Sequence, residues 1–309
     1  MISRKFNLLV SFLVLFFLVV NLAHAKKFPV GYPECWQDTK NPILLNIKSP
    51  DQFCPLNSKL GHKFFLVDFT SPLKQPQIDW ISGRIFGNAL VKETPPYHKI
   101  SYMKIDNTAP QSQVISYSKC RFKTGNKSKF EGEQTNTGCE GEKQIAEVYT
   151  AWTSLTNKFE KEFLNLDNKK SDNSLIFEYL FHVLRETKTD FTSEYPEREL
   201  VIVSDLMQHS KRFSFYSHCK QGEVLKPNKC RSFESLLKKK IGSETVKKYI
   251  EDRKPKKETL KNLKVTVLYI NHDYETRSGL SSSLVDLWKE LFEFMGIKNY
   301  EIIKQLAII

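Results

Sequence analysis

The chain has 309 residues, of which 40% are hydrophobic and 12% aromatic; that is enough apolar side chain to fill a core, and it excludes a disordered polymer. The length suits one large domain or two small ones. A formal net charge of +12 directs attention to anionic partners, and six cysteines, an even number, direct it to disulfides.

The N-terminus reads Met1-Ile-Ser-Arg4-Lys5, then an apolar stretch from Phe6 to Leu22 broken by Asn7, Ser11 and Asn21, then Ala23-His24-Ala25. A basic start, a short apolar core and a small-x-small site make the pattern of a secretory signal peptide cleaved after Ala25, so residues 1–25 are assigned to it. The stretch is also close to the ~17 residues that can just cross a bilayer, which leaves an uncleaved anchor as the alternative. In either case the remainder is expected outside the cytoplasm, periplasmic or secreted. Loss of Arg4 and Lys5 with the signal leaves a charge of +10.

Residues 26–61 are rich in Pro, Asn and Lys without a clear period, and read as an N-terminal extension carrying Cys35 and Cys54. Next, His62-Lys-Phe-Phe-Leu-Val-Asp68-Phe-Thr70-Ser71-Pro72 begins as an apolar run with the length and Phe/Val/Leu content of a strand buried on both faces. It ends in an acid, two hydroxyls and a proline. Leu73 to Leu90 places Ile78, Ile81, Ile85 and Leu90 at helical spacing, with Pro72 near the first turn. His98 to Ile105 alternates as a half-buried strand, and Gln113 to Tyr117 reads as a shorter one.

A Gly-, Asn- and Lys-rich loop follows between Cys120 and Cys139, with an N-glycosylation acceptor at Asn126 that matters only in a eukaryotic secretory route. Gln144 to Leu166 carries Ile145, Val148, Trp152, Leu155, Phe159, Phe163 and Leu166 in steps of three and four, a long amphipathic helix. Ser174 to Glu186 is a second helix, capped by Ser171 or Ser174, of which Ser174 has the better spacing to its apolar face. Glu199-Leu-Val-Ile-Val-Ser204-Asp205 repeats the buried-strand design, again with a hydroxyl beside a terminal Asp. Residues 206–262 form an insertion with helical stretches at 232–241 and 246–249, before a third strong strand at 263–270. Ser283 to Met295 buries Leu284, Leu287, Trp288, Leu291, Phe292 and Met295, with Gly296 placed to end it, and 299–309 is a tail apolar enough to dock as an edge strand.

Neighbour pairing of the cysteines, Cys35 with Cys54, Cys120 with Cys139 and Cys219 with Cys230, would staple three loops, although other pairings remain open. No spacing is a CxxC, which argues against zinc. Between Lys238 and Lys264 eleven Lys or Arg face only Glu244, Glu251, Asp252 and Glu258. That cluster is read first as a solvated lysine-rich face and second as a polyanion or nucleic-acid contact; Tyr249 is its single aromatic, so no stacking platform for bases is visible.

Two buried strands ending in Asp, each with neighbouring hydroxyls, gather hard oxygen ligands of the kind that suit Mg2+ or Mn2+. The simpler possibility is that each Asp caps the turn that follows it. The order strand, helix, strand, strand, helix, helix, strand, insertion, strand, helix resembles the von Willebrand factor type A (VWA) domain over residues 62–298. Asp68-Phe69-Thr70-Ser71-Pro72 looks like that family's Asp-x-Ser-x-Ser motif with Thr70 in the first Ser position; Asp205 looks like its late Asp and Ser174 like its loop Thr. Pro72 stands where the second motif Ser belongs and supplies no side-chain oxygen, which leaves Ser71 or water to fill the place.

The resemblance implies an α/β fold with a doubly wound, mostly parallel sheet flanked by helices, here carrying a lysine-rich insertion before its last main strand. It also implies a degenerate metal-ion-dependent adhesion site in which Asp68, Thr70, Ser174 and Asp205, with Ser71 as a weaker candidate, hold Mg2+ or Mn2+. Such a site takes an acidic side chain from a protein partner, so the expected role is binding at the cell envelope or outside the cell, not catalysis. Three alternatives remain: a scaffold of this fold that works without metal, a polyanion or nucleic-acid binder through the insertion, and an exported hydrolase. For the last there is no Gly-x-Ser-x-Gly elbow, no His-Glu-x-x-His and no phosphate loop, and His209 is the best base.

Overall fold

The computed structural model describes residues 61–68, 70–86, 98–105, 117–120, 173–185, 189–212, 214–219, 230–271 and 280–305, with a few isolated positions besides. The signal segment, the extension with Cys35 and Cys54, the 121–142 loop with Asn126 and Cys139, and most of the 144–166 helix lie outside them. Of that helix, Ser154, Asn157, Glu160 and Lys161 are described, and all four are helical.

Strand β1 (Gly61–Asp68) is buried along its whole length, and Phe64, Phe65, Leu66 and Val67 have no exposed surface. An apolar run with no polar alternation can only be satisfied by cover on both faces, so β1 belongs in the middle of a parallel sheet. It pairs in parallel with β2 (Lys99–Ile105) on one side and β4 (Glu197–Ser204) on the other. Beyond β4 come β7 (Leu263–Tyr269) and the edge strand β8 (Tyr300–Lys304), both parallel, while β3 (Tyr117–Cys120) runs antiparallel to β2. The order is β3-β2-β1-β4-β7-β8, an α/β architecture with five parallel strands.

Period-two alternation divides the strand residues between the faces. Phe64, Leu66, Leu200, Ile202, Val265 and Val267 join a single apolar cluster with α2 (Ile176–Arg185) and α6 (Leu280–Met295). The alternate residues Phe65, Val67, Val201, Val203 and Leu268 are equally buried, as are Ile81 of α1 (Gln75–Arg84) and Ile85 just after it. Burial of each such side chain contributes about 1.5–3 kcal/mol before chain entropy is counted. At the centre of the first face Trp288 stacks on Phe177 with ring centroids 5.0 Å apart and meets Phe215 edge-on.

Several boundaries move from the sequence reading. The strand expected at 113–117 occupies 117–120, with 113–116 outside the described residues. The helix expected over 232–241 stops at Lys238, as α3 (Phe233–Lys238). Its last residues instead form β5 (Lys240–Ile241), which pairs with β6 (Glu244–Thr245) around a two-residue turn opened by Gly242 at φ +60°. Glycine takes that conformation without steric cost, and the turn outcompetes another helical turn. Short helices α4 (Val246–Glu251) and α5 (Lys257–Leu260) complete the insertion. Helix α6 starts three residues earlier than expected and ends at Gly296, φ +84°, where the amide of Ile297 reaches back to Phe292 O (2.8 Å). The tail docks as an edge strand over 300–304. Cys219 and Cys230 are disulfide-bonded, in agreement with neighbour pairing.

Candidate functional site

Strand order fixes where a site can form. The chain passes from β1 outward to β2 and from β4 outward in the other direction to β7, so the order reverses between β1 and β4. At such a switch point the two outgoing connections diverge and leave a crevice beyond the carboxyl ends of the strands. Asp68 ends β1, Ser204 ends β4 and Asp205 follows it; the register Val67↔Val203 sets Asp68 and Ser204 side by side at that crevice.

The side chains converge there on Asp68, which is 4% exposed. Its Oδ1 accepts hydrogen bonds from the amide of Thr70 (3.1 Å) and the Thr70 hydroxyl (2.7 Å). Its Oδ2 accepts from the hydroxyls of Ser174 (2.7 Å) and Ser204 (2.9 Å). Asp205 is buried next to it; its Oδ2 accepts from the Ser71 hydroxyl (3.1 Å) and its Oδ1 from the amide of Met207 (2.9 Å). Of the residues placed with Asp68 by sequence, Thr70 and Ser174 thus hydrogen-bond Asp68 itself, and Ser71 hydrogen-bonds Asp205, whose charge acts on Asp68. Pro72 is exposed, and it is Ser71 that turns a hydroxyl towards the second carboxylate.

Ser174 reaches the network from a distant part of the chain through a backbone bridge. Its amide donates to His209 O and its carbonyl accepts from His209 N, both at 2.8 Å, in the two residues before α2 begins. Ser204 was missing from the sequence-derived ligand set. It is fully buried, donates to Asp68 and accepts from the amide of Leu206 (2.8 Å). A hydroxyl at the last position of an otherwise aliphatic strand was its signal.

The turn after β4 is strained. Leu206 is fully buried at φ +60°, a left-handed conformation that costs a non-glycine residue about 1–2 kcal/mol. Its carbonyl is held by the Trp288 indole N–H (2.9 Å) and by the amide of Gln208 (3.0 Å). Core packing of α6 therefore sets the turn that presents Asp205.

Burial, followed by the negative charge of Asp205, pushes the Asp68 carboxyl up to about 6, against the hydrogen bonds of Ser174 and Thr70 that favour ionisation. Two carboxylates in one buried crevice repel each other, and either a proton on Asp68 or a bound cation relieves the repulsion. The donors are carboxylate and hydroxyl oxygens only, hard ligands whose hydroxyl lone pairs remain available while their protons serve Asp68. This chemistry fits Mg2+ or Mn2+. Among the described residues no group of three or more His, Cys, Asp and Glu side chains that could hold a metal ion gathers.

His209 has its Nδ1 2.8 Å from the Ser214 hydroxyl and its ring edge-on to half-exposed Tyr216. The Ser214 oxygen is also engaged by the amide of Tyr216 (3.1 Å), and no carboxylate hydrogen-bonds the imidazole among the described residues.

No protein-family model and no curated protein matches the sequence. Among solved structures the chain resembles the pilus adhesin SpaC from Lactobacillus rhamnosus GG in its open conformation, at a TM-score of 0.35 and 10% identity. The overlap covers 81% of this chain and 28% of the adhesin, so the chain spans well under a third of that protein's length. Similarity at that level carries nothing about function to this chain.

Proposed function

We propose that the chain is an exported VWA-like binding protein that engages a protein partner through a divalent cation held at the β1/β4 crevice. The observation that carries this reading is the convergence of Asp68, Thr70, Ser71, Ser174, Ser204 and Asp205 at the switch point of the sheet. The succession of elements from β1 to α6 supports the resemblance to the VWA domain on which this reading rests. Thr70, Ser71, Ser174 and the two aspartates would hold Mg2+ or Mn2+, with Ser204 keeping Asp68 oriented. When bound, the ion supplies Lewis acidity for a further oxygen ligand, and a site with few charged ligands keeps enough of it to accept a partner's carboxylate. The basic surface left after signal removal favours the approach of an acidic partner. Export rests on the N-terminal pattern alone; among the described residues no helix is long and apolar enough to cross a membrane.

A metal-independent scaffold is the second reading, and one observation favours it: both oxygens of Asp68 are already occupied by protein donors, while Pro72 adds none. Calorimetric titration of the chelator-treated chain with Mn2+ separates the two. The cation reading expects one site in the wild type, lost in Asp205→Asn and weakened in Ser71→Ala. An absence of heat in the wild type sinks it and leaves the scaffold.

A further inference from the structure

The opposite edge of the sheet carries a different feature, one that stands whether or not a cation binds. Strands β1, β4 and β7 are parallel, so the chain enters all three from the edge remote from Asp68 and Asp205. The segment 252–262, between α4 and β7, lies at that edge, where the carbonyl of Asn262 accepts from the amide of Arg198 near the start of β4 (3.3 Å). It carries Arg253, Lys254, Lys256, Lys257 and Lys261 against Asp252 and Glu258, and Asp252 is already paired with Lys248 at 3.0 Å. Lys254, Lys256, Lys257 and Lys261 are exposed and make no ion pair among the described residues.

The segment is built, not loose. The Arg198 guanidinium, in a residue 3% exposed, donates to the carbonyls of Phe191 (3.3 Å), Lys261 (2.8 Å) and Thr259. The amides of Arg253 and Lys254 both return to Ile250 O (3.0 and 2.7 Å), Pro255 is buried, and the Arg253 guanidinium lies 4.1 Å from the centre of the Tyr249 ring. These bonds fix the backbone of the segment, and the four lysines are exposed along it, Lys254 with its Nζ 5.8 Å from the centre of the Phe294 ring.

The same end of the sheet is where Gly61 opens β1, so in the uncleaved-anchor alternative the apolar stretch Phe6–Leu22 is linked to the domain on this side. Residues 252–262 contain no aromatic side chain on which bases could stack, which disfavours single-stranded nucleic acid. We propose that Lys254, Lys256, Lys257 and Lys261 form a docking surface for anionic lipid headgroups, holding the domain with its Asp68 edge directed away from the membrane.

The test labels amines on the full chain bound to vesicles containing about 30% phosphatidylglycerol or phosphatidylcholine alone, since each cation near an anionic surface is worth roughly fivefold in partitioning. Modification is read lysine by lysine by mass spectrometry. Docking slows labelling of Lys254, Lys256, Lys257 and Lys261 by roughly tenfold in the anionic vesicles only, is reversed by high salt, and leaves Lys238 and Lys240 unchanged. Equal labelling in the two vesicles, or protection centred on Lys238 and Lys240, overturns the proposal. Protection of the same four lysines by a DNA duplex but not by phosphatidylglycerol also overturns it, and assigns the surface to nucleic acid.

Discussion

Replacement of Asp68 by asparagine separates what the crevice costs the fold from what it does with a cation. The Asp68 carboxyl is raised from 3.8 to about 6, and the folded state therefore binds its proton more tightly than the unfolded chain does. The stability linked to that proton is complete below pH 3.8 and is lost as pH rises through about 6. At about 1.4 kcal/mol for each pH unit, the cation-free fold at neutral pH is destabilised by about 3 kcal/mol. Asparagine keeps the shape of the protonated acid and removes the repulsion from Asp205. It also offers one acceptor oxygen where the carboxylate offers two to Thr70, Ser174 and Ser204, a loss of about 1–2 kcal/mol. In chelator at neutral pH, Asp68→Asn is expected to be more stable than wild type by about 1–2 kcal/mol, roughly 2–5 °C in Tm. With Mg2+ at about a hundred times its Kd the wild type gains about 2.7 kcal/mol and the variant gains nothing, so the ranking reverses. Differential scanning calorimetry in chelator and in millimolar Mg2+ reads both halves. A variant several kcal/mol less stable than wild type in chelator would refute the electrostatic reasoning, and a Tm that ignores Mg2+ in the wild type would refute the cation.

His62 is buried at the other end of β1, where its Nδ1 donates to the Asp190 carbonyl (3.1 Å) and its Nε2 accepts from the Ser101 hydroxyl (2.8 Å). Burial, then the charge of Lys99, lowers its pKa from 6.5 to about 3, so the folded state resists protonation and stability falls as pH drops below 6.5. Urea unfolding of wild type and His62→Gln should show the wild type losing about 2 kcal/mol relative to the variant between neutral pH and about pH 5; a constant difference contradicts the assignment. Trp288→Phe removes a hydrogen bond to the strained Leu206 carbonyl and should cost about 1–2 kcal/mol in the same assay while also weakening Mn2+ binding; unchanged Mn2+ affinity would show that this contact does not position Asp205. Replacing Cys219 and Cys230 by serine opens a loop closed over a sequence separation of 11 and should lower stability by about 3 kcal/mol; no change in urea midpoint would mean that the unfolded chain is constrained in some other way.

Local pattern made much of this architecture legible from the chain alone. Phe64 to Val67 and Leu200 to Val203 lack polar alternation, and only the middle of a parallel sheet accommodates such runs. The spacing of Leu284, Leu287, Trp288, Leu291, Phe292 and Met295 fixed one buried helical face, and all six are buried. Asp68 and Asp205 were legible as acids at strand ends, and each accepts the amide two residues on, from Thr70 and Met207, as the capping alternative expected. Tertiary structure alone decided what these acids meet. Sequence does not state that β1 and β4 are neighbours; that adjacency comes from crossovers packing on both faces, and it is what sets Ser204 beside Asp68. Ser174 arrives through its backbone bridge to His209, and Ser71 in place of residue 72 turns to Asp205, because loop geometry depends on contacts far away in the chain. Arg198 shows the same limit at the other edge. Nothing local marks it as the residue that gathers the carbonyls of Thr259 and Lys261, since hydrogen bonds between distant backbone groups exist only once the strands have been brought together.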